Sequence, residues 1–354
     1  MNSHAIPLLL ALAAASAQAA PLLTYRVTSV VPDYDSEVCG CEYTVSEINN
    51  QGVMAGGFSV FDGFGGTYTV DESGLHPIRG TGNGFVHHVV DLNDRGEVLV
   101  NGEVSRNDII HSYLYRGDGR PAIDISIEAL DYSRDGGLNN RGHAIGVAGS
   151  GRDRAFYYDG TQSRYLELGL PTGSRIGDLL LNDAETVAGY AFSLGAFKYE
   201  DGRLSLLEGM ADAHAINDAG QILGATFTGQ SAIRNADGSL QLLDFRASEN
   251  LNGLGWTVGW AGVGAARHGF LYRDGRSYDL NSLLVASDAA QWVLSEGLDV
   301  NDKGQIVGTG LFNGKAMPFL ATPVPEPGSY ALMLCGLGVI GWATRQRRRR
   351  APAA

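Results

Sequence analysis

Long helical patterns are absent from this chain, which argues against a fold built on helices. Cysteine is scarce, with three among 354 residues. Cys335 lies inside an apolar run near the C-terminus and reads as a space-filler. Cys39 and Cys41 form a C-x-C pair that could close as a tight disulfide in an oxidising compartment, stay as free thiols, or contribute to a metal site, although no further ligands stand at suitable spacings. Basic residues are few: 26 Lys and Arg face 39 Asp and Glu. Five of the basic residues lie in the last ten positions, so the rest of the chain holds 21 basic against 39 acidic groups, a net −18. Such a surface repels a phosphate backbone, which argues against nucleic acid as a partner. Catalytic signatures are missing too. There is no Gly-x-Ser-x-Gly elbow, no His-Glu-x-x-His and no phosphate loop, so no catalytic residue is assigned.

What is present begins at the two ends. Ile6–Ala15 is apolar and Ala17-Gln18-Ala19 offers small residues for cleavage, the pattern of a secretory signal peptide over residues 1–20. Its leading segment has no Lys or Arg, so the amino terminus supplies the positive charge. At the other end, Val324-Pro325-Glu326-Pro327 precedes an apolar run over about 330–343, then Arg345 and Arg347, Arg348, Arg349 and Arg350. The prolines favour an extended, reachable segment. The run is expected to form a transmembrane helix of about 20 Å, short against a bilayer core of roughly 30 Å. The arginines stop transfer and mark the cytoplasmic side.

The region between, 21–322, is large for one compact core and calls for two domains or a repetitive architecture. It is repetitive. An apolar-Asn-x-x-Gly-x-apolar-x-Gly pattern recurs at Asn49, Asn93, Asn139, Asn182, Asn217, Asn252 and Asn301, at separations of 44, 46, 43, 35, 35 and 49 residues. Glu185 replaces the first glycine in one copy and Val100 the second glycine in another. The Asn side chain and the fourth-position Gly are turn chemistry. Between copies lie aromatic strands ending in Asp-Gly, such as Phe156-Tyr157-Tyr158-Asp159-Gly160 and Phe270-Leu271-Tyr272-Arg273-Asp274-Gly275, then leucine-bearing strands such as Leu204-Ser205-Leu206-Leu207.

Each unit therefore offers about four short strands. Seven such units predict an all-β fold, a seven-bladed β-propeller with four-stranded blades; a β-solenoid has shorter coils. Tyr25–Val31 looks like the strand the last unit lacks, so pairing with Pro318–Ala321 would close the ring from both termini.

Other residues carry weaker signals. His87 and His88 point to opposite faces of a strand and suit a structural role. His111, His143 and His268 sit near repeat positions. Asp33, Asp35 and Glu37 could hold calcium but lack the usual loop spacing, so no cofactor is expected. Trp256, Trp260 and Trp292 suit either cross-strand packing or a carbohydrate-stacking surface.

The tail resembles the PEP-CTERM sorting tail of Gram-negative bacteria. The resemblance implies cutting near Pro-Glu-Pro by an exosortase, a membrane protease, and a surface or matrix destination often linked to extracellular polysaccharide. The repeats resemble extracellular HAF-type repeats, most clearly at His268–Gly275 and Ile216–Gly224, over about residues 40–320. Together they imply an exported binding or matrix protein with a polysaccharide or envelope partner. A polysaccharide lyase or hydrolase on a propeller, with carboxylates at the ring centre, is the alternative.

Overall fold

The computed structural model describes residues 23–31, 42–59, 65–80, 87–105, 109–127, 133–149 and 153–324. The signal segment, Cys39, Cys41, Cys335, the acidic stretch 33–37 and residues 325–354 with their predicted helix lie outside it. Among the described residues no helix is long and apolar enough to cross a membrane.

Seven four-stranded antiparallel sheets follow one another along the chain. Six are simple meanders, over 42–77, 87–124, 133–166, 176–206, 215–242 and 246–279; the seventh takes three strands from 292–324 and one from 24–29. The chain is a seven-bladed β-propeller. The first strands of the blades, among them Glu42–Ile48, His87–Leu92, Ile176–Leu181 and Trp292–Val300, surround one shared cavity and so lie innermost. Among the described residues, helix is limited to the four-residue Ala286–Ala289 and two short 3₁₀ turns.

Every corner after an innermost strand is built on asparagine. In the first blade, Asn49 Oδ1 accepts from the Gln51 and Val53 amides at 3.0 and 2.9 Å, and the Gly52 amide donates to Asn49 O at 3.0 Å. Gly52 stands at φ 85°, a conformation that Gly reaches without Cβ strain. Glu185 fills the same place at φ 63°, as the non-glycine exception.

The glycine four residues beyond that corner glycine has a different cause. The innermost strand carries a β-bulge, for example between Val45 and Glu47. A Cβ at Gly56 would lie 2.0 Å from Thr44 O, and one at Gly259 the same distance from Arg246 O. In both blades the backbone of the innermost strand comes too close for a side chain, in the first blade beside its bulge.

The core lies between blades rather than inside any one. Phe197 and Leu179 of the fourth blade pack with Ile145 and Tyr157 of the third. Tyr68 and Val45 of the first pack with Val307 of the seventh. Phe156, Phe197 and Phe319, all on third strands, are fully buried. Aromatic spacing therefore marks the strand that faces both neighbours.

Closure joins both ends of the chain. The strand Thr24–Ser29 forms the outer edge of the seventh blade beside Lys315–Val324, and the Val30 amide donates to Pro318 O at 3.2 Å. The Val27 amide donates to Asp288 Oδ2 at 2.7 Å and the Val285 amide to Tyr25 O at 2.9 Å. The seventh blade is thereby brought to four strands like the other six.

Candidate functional site: the central channel and its rims

The seven asparagines form a closed ring around the axis. Each Nδ2 donates to the carbonyl of the asparagine in the next blade. Asn49 reaches Asn93 O at 2.9 Å, Asn93 reaches Asn139 O at 2.9 Å and Asn139 reaches Asn182 O at 3.2 Å. Asn182 reaches Asn217 O at 3.1 Å, Asn217 reaches Asn252 O at 2.9 Å and Asn252 reaches Asn301 O at 3.0 Å. Asn301 returns to Asn49 O at 2.9 Å. All seven are buried, so the acceptor side of each amide fixes its own turn while the donor side fixes the neighbouring blade.

One residue further on, a second ring lines the mouth. The Asn50 amide donates to Asp94 Oδ1 at 2.8 Å, Asp94 to Asn140 at 2.7 Å, Asn140 to Asp183 at 2.6 Å and Asp183 to Asp218 at 2.8 Å. Gly253 donates to Asp302 at 2.8 Å and Asp302 to Asn50 at 2.7 Å. The ring is broken once, because Gly253 has no side chain to accept from Asp218. Asp94, Asp183, Asp218 and Asp302 make this mouth acidic. Burial pushes the Asp218 carboxyl above its ordinary range.

Two residues before the asparagines, a third layer is lopsided. Glu47, Asp91 and Asp299 occupy it in blades one, two and seven; Gly137, Leu180 and Ala215 occupy it in blades three to five. Asp91 accepts from the Leu92 amide at 2.8 Å and from Leu138 of the next blade at 2.7 Å. Asp299 accepts from Val300 at 2.5 Å and from Ile48 of the next blade at 2.7 Å. Burial raises Asp91 to about 6, against the pull of those two amides. Burial pushes both Glu47 and Asp299 up; the charges of Asp299 and Asp91 add to the rise at Glu47, while at Asp299 the Ile48 and Val300 amides and Glu47 work against it and Asp91 adds to it. The cavity onto which these layers open is about 690 Å³.

Towards the opposite face, His214 stands among carboxylates. Nε2 lies 3.2 Å from Asp212 Oδ1, and Nδ1 faces Asp178 at 3.6 Å, too long for a direct bond. Burial opposes its charge, but Asp178 and Asp212 outweigh that and hold the imidazole up at about 10. Asp212 is lowered despite its burial, chiefly by His214, with the Ala225 amide and Arg246 adding to it.

From His214 an alternation of rings and charges runs across blades four to seven. Tyr190 lies edge-on to His214 at 6.0 Å and to Phe192 at 5.4 Å, and Arg175 sits 5.4 Å over Phe192. Arg246 and Arg267 stand 5.9 and 4.0 Å from the Trp260 ring, and Arg267 pairs with Glu296 at 2.5 Å. Phe192 is 64 % exposed, and Phe227 in the next blade is 72 % exposed.

The residues singled out from sequence separate as follows. Trp292 is buried against Phe312 and Phe319, and Trp256 packs under Arg273. Only Trp260 joins the strip. His111 pairs with Asp124 at 2.6 Å, His268 with Asp279 at 2.7 Å, and His143 with Glu185 at 2.8 Å, where Tyr157 also donates to Glu185. His88 lines the channel. Val324 ends the last strand, whereas Pro325, Glu326, Pro327 and the five tail arginines lie outside the described residues. Among the described residues no group of His, Cys, Asp or Glu is arranged to hold a metal ion.

Sequence reading missed His214, Glu47, Asp91 and Asp299. Stacking the seven copies on their asparagines would have found the three acids, since each falls two residues before the corner. His214 has no such signal.

A family profile for the PEP-CTERM protein-sorting motif matches residues 323–349. The motif marks an exported chain, held transiently in the membrane and processed by an exosortase. No curated protein matches the chain in sequence. Solved structures share the fold at low identity. A catalytically inactive virginiamycin B lyase from Staphylococcus aureus with quinupristin matches at 9 % identity and TM-score 0.53, covering 85 % of this chain and all of that one. YCF48 bound to D1 peptide matches at 12 % and 0.51, covering 86 % and 96 %. The β-propeller domain of the Trilobed protease from Pyrococcus furiosus, described as having an open velcro topology, matches at 9 % and 0.55, covering 80 % and 96 %. These likenesses establish architecture alone, and a lyase and a peptide-bound protein already differ in what they do.

Proposed function

We propose that this chain is a binding protein of the cell surface or extracellular matrix, exported through its first twenty residues and released or displayed after exosortase processing at Val324–Pro327. Its repeats, on this reading, are of the extracellular HAF type, and its partner is an extracellular polysaccharide. The observation that carries the reading is the strip around His214. The exposed rings of Phe192 and Phe227 and the half-buried ring of Trp260 offer flat apolar faces, and Arg175, Arg246 and Arg267 stand beside Phe192 and Trp260 as donors.

A panel of neutral, uronic-acid and amino-sugar polysaccharides tests this, with binding and new reducing ends both recorded. The reading expects binding without product, weakened tenfold or more by Phe192→Ala with Phe227→Ala. Both side chains are exposed, so the fold tolerates their loss.

The second reading is a polysaccharide-active enzyme. It is favoured by the carboxylates gathered in the channel, above all Glu47 and Asp299, whose carboxyls burial pushes upward, since acid–base cleavage of sugars uses two carboxyl groups. Release of reducing ends that disappears with Glu47→Gln would establish it and displace the first.

A further inference from the structure

Two of the four cations in the strip are neutralised by carboxylates and two are not. Arg267 pairs with Glu296 at 2.5 Å, and His214 is held by Asp212 at 3.2 Å with Asp178 beyond it at 3.6 Å. Arg175 and Arg246 are both exposed, and among the described residues neither guanidinium forms an ion pair. Arg246 is near enough to help lower Asp212, without pairing with it.

The ring beside each of these two arginines is fixed in place. In blade four the innermost strand bulges: Ile176 pairs with Ala191 and Leu179 with Gly189, so Gly177 and Asp178 together face Tyr190. A Cβ at Gly177 would collide with the Tyr190 ring, so the missing side chain is what lets that ring lie against the strand. Tyr190 meets Phe192 edge-on at 5.4 Å, and the Phe192 amide donates to Arg175 O at 3.0 Å. That backbone bond sets Arg175 beside Phe192, with its guanidinium 5.4 Å over the ring. In blade six Arg246 pairs in register with Trp260, and its guanidinium lies 5.9 Å from that ring. A guanidinium set against a ring is oriented, and its N–H donors remain available.

We propose that the strip selects sugars that carry a carboxylate, so that the partner is a uronic-acid polysaccharide and Arg175 and Arg246 are the residues that determine this specificity. This rests on the binding reading and names the class of polymer within it. The apolar face of a sugar ring stacks on Phe192 or Trp260, and a carboxylate beside it meets a two-donor fork that matches its two oxygens. A neutral sugar forgoes that charge-assisted bond, and a cationic amino sugar is repelled by both arginines. The middle of the strip differs, because Asp178, Asp212 and Glu249 outnumber His214 there. Carboxylates therefore seat at the two ends, in blades four and six, with hydroxyls between them. The acidic mouth of Asp94, Asp183, Asp218 and Asp302 repels the same polymer, which confines it to the strip.

The test compares polygalacturonate with its highly methyl-esterified form, which keeps the sugar rings and removes the charge. Affinity of the full chain for each is measured by titration calorimetry. The proposal expects the charged polymer to bind at least tenfold more tightly. Arg175→Gln with Arg246→Gln should bring the two within twofold by weakening the charged polymer alone, since both side chains are exposed and the rings stay. Arg267→Gln, whose charge already faces Glu296, should leave the ratio unchanged. A ratio near one in the unaltered chain, or a ratio that the double variant keeps, overturns the proposal. Dextran sulfate matching polygalacturonate also overturns it, since that would be attraction to any polyanion. Tighter binding of chitosan or a neutral glucan overturns this proposal and leaves the binding reading standing. Binding of none of these polymers removes the binding reading, and this proposal falls with it.

Discussion

At a single corner, one asparagine does two jobs that substitution can separate. Asp in place of Asn252 keeps the oxygen that caps the Leu254 and Trp256 amides and removes the donor to Asn301 O. We expect Asn252→Asp to cost roughly 1–3 kcal/mol in denaturant unfolding, the range for orphaning a buried polar group. A change within error would mean that the ring bonds add nothing to the turn. Gly253 supplies the opposite experiment. Its φ is not in the left-handed region, and the nearest atoms to a new Cβ belong to the side-chain carboxylate of Asp302, from 3.0 Å. Gly253→Asn adds the acceptor that the Asp218 amide lacks, and should stabilise by about 0.5–1 kcal/mol. Destabilisation would show that Asp302 cannot yield.

At the level of strands and layers, the acids two residues before the corners tie stability to pH. Asp91, Glu47 and Asp299 bind protons more tightly folded than unfolded, so the folded state holds more protons than the unfolded chain between about pH 4 and pH 7. Their effect is a stability that falls as pH rises through that window. For Asp91, a rise from 3.8 to about 6 corresponds to roughly 3 kcal/mol at 1.36 kcal/mol per unit. Thermal unfolding at pH 5 and pH 8 should show the decline, and Glu47→Gln should flatten it. An equally steep decline in that variant would separate the pair from the effect. Third-strand aromatics make a second case. Phe197→Ala empties a fully buried site between two blades and should cost about 3–5 kcal/mol by calorimetry.

These elements also mark how far the sequence could be read. Blade number, strand number and closure were legible because turn residues and aromatic pairs recur with the unit, and local chemistry fixes hairpins. The carboxyl layer was hidden because three of seven copies carry an acid there and the rest carry glycine, leucine, alanine or asparagine. Only the ring brings them side by side. His214 and Phe192 were hidden for a stronger reason. They lie outside the repeat pattern, and His214 meets Asp178 and Tyr190 from the preceding blade.

On the scale of the whole molecule, seven similar sheets are held by inter-blade cores, one asparagine ring and one seam. The seam differs from the other six boundaries because it joins the first strand of the chain to the last. Thr24–Ser29 buries Tyr25 and Val27 and is tied to Asp288 and Val285 as well as to its own blade. A ring whose seam opens exposes the edge of Lys315–Val324, the strand that leads into the sorting tail. Closure and sorting therefore meet at one place. The most direct measurement is thermal unfolding of the exported chain with and without residues 24–31. The account predicts a single cooperative transition in the intact chain and a fall of well over about 10 °C, or loss of cooperativity, in the shortened one. An unchanged melting temperature would contradict it.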